Sequence, residues 1–410
     1  MTVGARHHHD CPSPPIEWAD ARRLAFELAA PLAAEPAALA SAVGRTLAAP
    51  MRAAVPVPGF DNAAMDGYAV HGPGPWRVVD RVLAGHLHAP PRLSGQTAVE
   101  IATGAPVPEG TDRVVPYEAA DRTGESVWAP PSVREHVRRR GEYARPEQEL
   151  VPAGSLVTPP VLGLAASVGL DTLTVHARPR VRLVISGDEL VPAGTPGWGQ
   201  VRDAIGPMLR PLLTCWGADL LDSRLVGDEP EWFAAAIADS VADADVTIVC
   251  GASSVGPADG LHHGLRRLDA TVHVDGVACR PGHPQVLAQA GSRWIVGLPG
   301  NPFAALVAAL TLVDPLLAAL AGAPLAELET APLAEALPPE DRRTRIVPVR
   351  WSTTGLHVIE GGQPGYLGGA ARADAFAVVA AGWRTGGPVG LLRPPWQWVR
   401  TSPVRRDFRP

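Results

Sequence analysis

From residue 179 to residue 320, short apolar runs alternate with stretches of helical length, and this alternation is the strongest constraint on the fold. The run 181–186 is a compact apolar strand, and 219–226, 246–250, 270–274 and 294–298 are read as further strands. The stretches 201–216, 230–242 and 303–320 are predicted helices, with Pro207 and Pro211 interrupting the first. Strands joined through helices pair in parallel and cross over right-handedly. An α/β domain with a parallel-rich sheet is therefore expected over 179–325. Ligands of such sheets sit beyond the carboxyl ends of the strands, so the residues that follow each run carry the functional reading.

Three such loops stand out. Ser186-Gly187-Asp188-Glu189-Leu190 places carboxylates directly after a strand, where oxygen ligands suit Mg²⁺ against a phosphate. Cys250-Gly251-Ala252-Ser253-Ser254-Val255-Gly256-Pro257-Ala258-Asp259 is a small-residue loop that ends in a carboxylate and lets backbone N–H groups approach an anion. Leu298-Pro299-Gly300-Asn301-Pro302 joins a strand to a helix, and free N–H groups at that helix start suggest a further anion site. On the residues alone, each also reads as an ordinary acidic turn, connection or rigid corner. Three of them in one α/β unit are expected to surround one phosphorylated ligand.

The first half has a different texture. Ala21, Leu24, Leu28, Leu32 and Leu39 recur at helical spacing across 17–49, with Pro31 and Pro36 as interruptions. Between 51 and 137, short Val-rich runs alternate with Gly/Pro turns, which reads as a small β-rich domain. It contains Pro58-Gly59-Phe60-Asp61-Asn62-Ala63-Ala64-Met65-Asp66-Gly67-Tyr68-Ala69-Val70, with two carboxylates five residues apart. It also contains Ile101-Ala102-Thr103-Gly104-Ala105-Pro106-Val107-Pro108-Glu109-Gly110, a tight turn of the kind that suits oxyanions. The segment 150–169 is predicted helical and expected to return to the first helix, which makes the β-rich part an insertion. The expected domains are 14–50 with 146–178 as a helical and extended base, 51–145 inserted, 179–325 α/β, and 326–410 a C-terminal β-barrel-like domain.

Composition narrows the chemistry. The net charge of −6 argues against a nucleic-acid partner, which calls for a basic face. No lysine occurs anywhere in the sequence, so an anion site must use Arg, His or backbone N–H groups. Cys11, Cys215, Cys250 and Cys279 form no CxxC pair, consistent with a reduced cytoplasmic protein. The apolar run 304–323 holds Asp314 and Pro315 and is read as a core helix, with no membrane partner. His7, His8, His9, Asp10 and Cys11 are read as a loose tail.

In order and spacing, PGFDNAAMDGYAV, ATGAPVPEG, RRRGE, ISGDEL, SSVGPAD and LPGNP resemble the molybdopterin molybdenumtransferase family, and the resemblance spans nearly the whole chain. It implies a multidomain α/β subunit that forms a homodimer, with possible molybdopterin adenylyltransferase and molybdoenzyme partners. It also implies a reaction on adenylylated molybdopterin and molybdate with Mg²⁺, in which AMP leaves and molybdenum joins the dithiolene. Matched by motif, the catalytic residues would be Asp66, Thr103, Asp228 and Asp259. Ser254, Gly256, Arg280, His283, Pro299, Asn301 and Pro302 would bind substrate, and Glu189 with Asp259 would hold the metal. The chain departs from the family pattern at Tyr143, Ile205, Ala252, Arg280, His283 and around Gly368 and Gly369. These departures leave a second reading, a non-catalytic molybdopterin-binding paralogue acting as a dimeric scaffold or carrier.

Overall fold

The computed structural model describes residues 14–85, 90, 92–251, 260–338, 340 and 342–395. Ser254, Gly256, Asp259 and the His7–Cys11 stretch lie outside the described residues. By contact the chain divides into two compact units: residues 35–175 form one, and the segments up to Ala34 and from His176 form the other.

In the larger unit, a six-stranded sheet has the order Asp219–Val226, Arg180–Ser186, Val246–Cys250, Arg293–Leu298, Val286–Ala290, Thr271–Asp275. The first four strands pair in parallel and the last two antiparallel, so the parallel expectation holds for most of the sheet. The central strands read as unbroken apolar runs because both of their faces are covered. Leu209, Leu213, Val307 and Leu310 bury one face, while Phe233, Ile237, Leu261 and Leu265 bury the other.

Pro302–Ala308 and Asp314–Leu320 are α-helical and are joined by a π-helical turn, Ala309–Val313. Pro315 offers no N–H and its ring crowds the carbonyl four residues back, and a widened turn relieves that conflict. The span Pro302–Leu320 is long and apolar enough to cross a membrane, but 89% of its apolar window is buried inside the protein. It is the core helix that the sequence suggests.

The predicted helix across 17–49 is cut short. It covers Trp18–Glu27, and Ala34–Ala38 is a strand followed by the short helix Leu39–Ala42. Pro31 and Pro36 explain the break, since neither continues an i to i−4 ladder. The Trp18 helix is built into the larger unit: Trp18 Nε1 donates to Thr311 Oγ1 at 2.9 Å, and Arg22 pairs with Asp314 at 3.0 Å. The 150–169 segment contracts to the helix Pro159–Ser167, which packs with Ala37, Ala42 and Leu47 of its own unit. The predicted helix 201–216 begins as the strand Val201–Arg202 and becomes helical at Ile205–Cys215.

A second sheet of the larger unit contains Thr344–Ser352, Gly355–Val358, Ala375–Val379, Pro388–Leu392 and Glu329–Pro332. Two strands the sequence reading did not assign, Ile16–Glu17 and Val277–Arg280, extend its edge. In the smaller unit a six-stranded sheet runs Arg113–Pro116, Gly67–Val70, Thr97–Ile101, Trp76–Val82, Ser126–Trp128, Asp121–Thr123. Its two faces carry separate cores, one around Val99 and Ile101 and one around Tyr68 and Trp76.

Candidate functional site

In the larger unit, Ile185, Cys250 and Leu298 lie in register across three neighbouring parallel strands. The loops that follow these strands therefore start side by side. Gly251 has φ +106°, and a Cβ there would stand 2.3 Å from the Ser186 carbonyl oxygen. Gly300 faces Gly251 across the next strand, 3.4 Å from an ideal Cβ to the Gly251 Cα. Backbone this close needs residues without side chains, which accounts for glycine at residues 251 and 300.

Asp228 follows the neighbouring strand Asp219–Val226. Its carboxylate accepts the Ser186 hydroxyl through a short bond and the Asp188 backbone N–H at 3.2 Å. Asp188 returns the arrangement, accepting the Asp228 N–H at 3.2 Å. The two loops are thus cross-linked at the carboxyl ends of adjacent strands. Asp188 also lines an open pocket of about 430 Å³ with Gly227, Glu229, Glu231 and Trp232. Sequence reasoning included Ser186 and Asp188 in its motif but selected Glu189. The Glu189 carboxylate is exposed and has no side-chain partner among the described residues.

Among the described residues, no three metal-ligating side chains converge. The donors that are present are all oxygens on exposed carboxylates, which fits a hard divalent cation.

Asp203 accepts the backbone N–H groups of Ile205 and Gly206, at 3.0 Å each, and caps the helix that follows. Ile205, where the family pattern has an amide, is 5% exposed and belongs to the core. Cys250 is buried at the end of its strand. Burial, reinforced by the Asp203 charge, raises its thiol pKa well above the ordinary range, so it stays neutral.

The Leu298–Pro302 corner differs from expectation. The N–H groups of Phe303 and Ala304 are already used, since both donate to the Pro364 carbonyl at 2.8 and 3.3 Å. The helix start is capped by a distant segment and offers these two donors to no anion, a partner that local sequence gives no means of finding. Asn301 faces Gly365 of the same segment, its Oδ1 lying 3.4 Å from an ideal Cβ there. Glu360, Gly361, Gln363, Tyr366 and Arg372 line a further pocket of about 700 Å³. Arg372 shapes it by donating to the Gly368 and Glu360 carbonyls, both at 2.9 Å. A Cβ on Gly368 would meet the Tyr366 ring at 2.3 Å, and one on Gly369 would meet the Gly361 backbone at 2.8 Å. A serine at residue 368 would displace the Tyr366 ring, and one at residue 369 would press on the Gly361 backbone and the Pro348 ring.

Arg280 and His283 are exposed on the turn that follows Val277–Arg280. The His283 Nδ1 contacts the Val277 carbonyl at 2.8 Å, which assigns a proton to Nδ1 and leaves Nε2 without a partner among the described residues.

In the smaller unit, Asp66 and Thr103 are brought together from 37 residues apart. The Asp66 Oδ1 accepts the Thr103 backbone N–H at 2.7 Å. The pairing of Gly67 with Ile101 sets this contact. Nearby, Asp61 accepts the Arg140 N–H at 2.7 Å and an Arg139 guanidinium N–H at 3.0 Å. The Arg140 backbone bond, opposed by partial burial and aided by Arg139, holds the Asp61 carboxyl below the usual carboxylate range. Arg139 also pairs with Glu135 through a short contact. Tyr143, where the family pattern has a carboxylate, is 59% exposed.

The sheet, its strand-end loops and the second β-sheet define a multidomain α/β protein that offers ligands the carboxyl ends of its parallel strands. The description "Probable molybdopterin binding domain" matches residues 182–319, and "MoeA N-terminal region (domain I and II)" matches residues 16–169. A Mycobacterium tuberculosis protein named molybdopterin molybdenumtransferase 2 is 36% identical over 305 residues, covering 70% of this chain and 75% of that protein. A Haemophilus influenzae molybdopterin molybdenumtransferase is 33% identical, covering 69% of this chain and 72% of its own length. A molybdopterin biosynthesis moeA protein from Pyrococcus horikoshii OT3 shares the fold with a TM-score of 0.79 at 19% identity, over 92% of this chain and 99% of that one. The chain belongs to the molybdopterin molybdenumtransferase family.

Proposed function

We propose that the chain inserts molybdate into adenylylated molybdopterin with release of AMP, acting as a cytoplasmic homodimer. The observation that carries the proposal is the cross-linked pair Asp228 and Asp188, which aims carboxylates at the place where an α/β sheet takes its ligands. The extent of identity to named transferases supports it.

Within this reading each residue has a physical task. Ser186 orients the Asp228 carboxylate, so one oxygen edge is fixed before any ligand arrives. Asp228 and Glu189, with Asp259, would hold Mg²⁺, which supplies charge neutralisation for the pyrophosphate when bound. Arg280 and His283 meet the oxyanion, and Pro299, Asn301 and Pro302 give the pterin pocket a rigid wall. Ser254 and Gly256 would bind the phosphate, as the family motif implies. Asp66 and Thr103 form the catalytic pair of the inserted domain, with the carboxylate holding the Thr103 loop. The product passes to a molybdoenzyme, and the adenylylated substrate comes from a molybdopterin adenylyltransferase.

The test is AMP release from adenylylated molybdopterin with Mg²⁺, with and without molybdate, for the natural chain and for Asp228→Ala. Molybdate-dependent release that the substitution lowers by about 10²-fold or more is expected. Tight pterin binding with no release at any molybdate concentration would overturn the proposal in favour of a carrier. Sedimentation that shows only monomer would remove the homodimer.

A further inference from the structure

Beside the Arg280–His283 turn lies a buried polar side chain that the proposed reaction leaves unused. Gln285 is 0% exposed, yet its Oε1 has no hydrogen-bond partner among the described residues. A half-satisfied buried amide is destabilising, so its value must lie in the half that is satisfied. The Nε2 donates to the Gly282 carbonyl at 2.6 Å and to Cys279 Sγ at 3.2 Å. The Cys279 thiol donates onward to the Pro281 carbonyl at 3.3 Å. Two acceptors gathered at one end of the amide identify that end as the nitrogen.

Backbone bonds close the same turn. The N–H groups of Gln285 and Val277 both donate to the His283 carbonyl at 2.9 Å, and the Gly276 N–H donates to the Gln285 carbonyl at 2.8 Å. Gly282 is pressed against the core helix, where a Cβ would meet the Ala304 carbonyl at 3.1 Å. The consequence is electrostatic. The carbonyls of Pro281 and Gly282 point inward, onto a thiol and an amide. The exposed side of the turn is left with the Arg280 guanidinium and the His283 Nε2, and two carbonyl dipoles that would repel an anion are removed from it.

We propose that Gln285 is the positioning residue of an oxyanion site, fixing the turn so that the Arg280 guanidinium and a doubly protonated His283, donating from Nε2, face a tetrahedral dianion together. This rests on the reading that the turn receives molybdate. The neutral Cys279 thiol, kept protonated by burial, is the relay that extends the amide's hold to Pro281.

The experiment is calorimetric titration of sodium molybdate, without pterin, into the natural chain, Arg280→Ala and Gln285→Met. Methionine keeps the length and apolar bulk of the side chain and removes both donors. Gln285→Met is expected to weaken molybdate binding about tenfold, approaching Arg280→Ala, while its melting temperature moves by less than about 3 °C. In the AMP-release assay the loss should fall on the KM for molybdate and not on the KM for the adenylylated pterin. If Arg280→Ala binds molybdate like the natural chain, the site reading itself fails. If Arg280→Ala weakens binding and Gln285→Met does not, the site stands and the role of Gln285 is overturned. Hydrogen exchange on the natural chain gives a test free of substitution. Slow exchange of the Gln285 and Val277 amides without molybdate is expected, and fast exchange there would refute a preformed turn.

Discussion

Replacing Gly251 by Ala perturbs the strand-end loops at their tightest point. Two costs follow from the geometry. At φ +106° an L residue carries a backbone penalty of ~1–2 kcal/mol. Its Cβ would also stand 2.3 Å from the Ser186 carbonyl oxygen, a backbone atom that no rotamer change can move. Opening that contact to an ordinary distance pushes two paired strands apart, an overpacking cost of ~1–3 kcal/mol. The sum is about 2–5 kcal/mol. Gly291 supplies the control, since it has φ +59° in the hairpin loop of the same unit and nothing within 4 Å of an added Cβ. Gly291→Ala should therefore show the backbone penalty alone. At roughly 2–3 °C per kcal/mol, Gly251→Ala is expected to melt about 2–9 °C below Gly291→Ala by scanning calorimetry. Because Ser186 orients Asp228, AMP release should fall in Gly251→Ala and hold in Gly291→Ala. Equal melting shifts in the two variants would refute the argument that close backbone approach dictates glycine at residue 251.

Two further outcomes follow. Asp61 has a folded pKa below its unfolded value, so its contribution to stability is present above the unfolded pKa near 4 and is lost as pH falls through the folded value. Asp61→Asn should therefore flatten the acid limb of an unfolding-versus-pH curve below about pH 4 and leave its slope at neutral pH unchanged, and an unchanged acid limb would count against the Arg140 and Arg139 bonds. Trp18→Phe keeps most of the buried ring but leaves the Thr311 hydroxyl without its indole donor, and a loss of about 1–2 kcal/mol is expected in urea titration followed by circular dichroism.

Sequence alone determined the α/β class, because its signal is local. Val246–Cys250 is a largely apolar run between Asp245 and Gly251, and its strand has those bounds, while the strand Asp219–Val226 likewise has the bounds expected of it. It also carried the family, since six motifs in fixed order survive substitutions between them. What it could not decide depends on residues distant in the chain. Trp18 meets Thr311 across 293 positions, a partner that no local pattern names. The Pro302 helix start looked free for an anion, yet the Pro364 carbonyl occupies it. Asp188, not Glu189, interlocks with Asp228, a choice made by the register of two parallel strands and the backbone bonds at their ends. Gln285 offered no signal at all: its meaning lies in the Gly282 carbonyl and the Cys279 thiol that the folded turn brings to it. Local propensity and periodicity are written in neighbouring residues, whereas hydrogen-bond partners of buried and terminal groups are assigned only when the chain closes on itself.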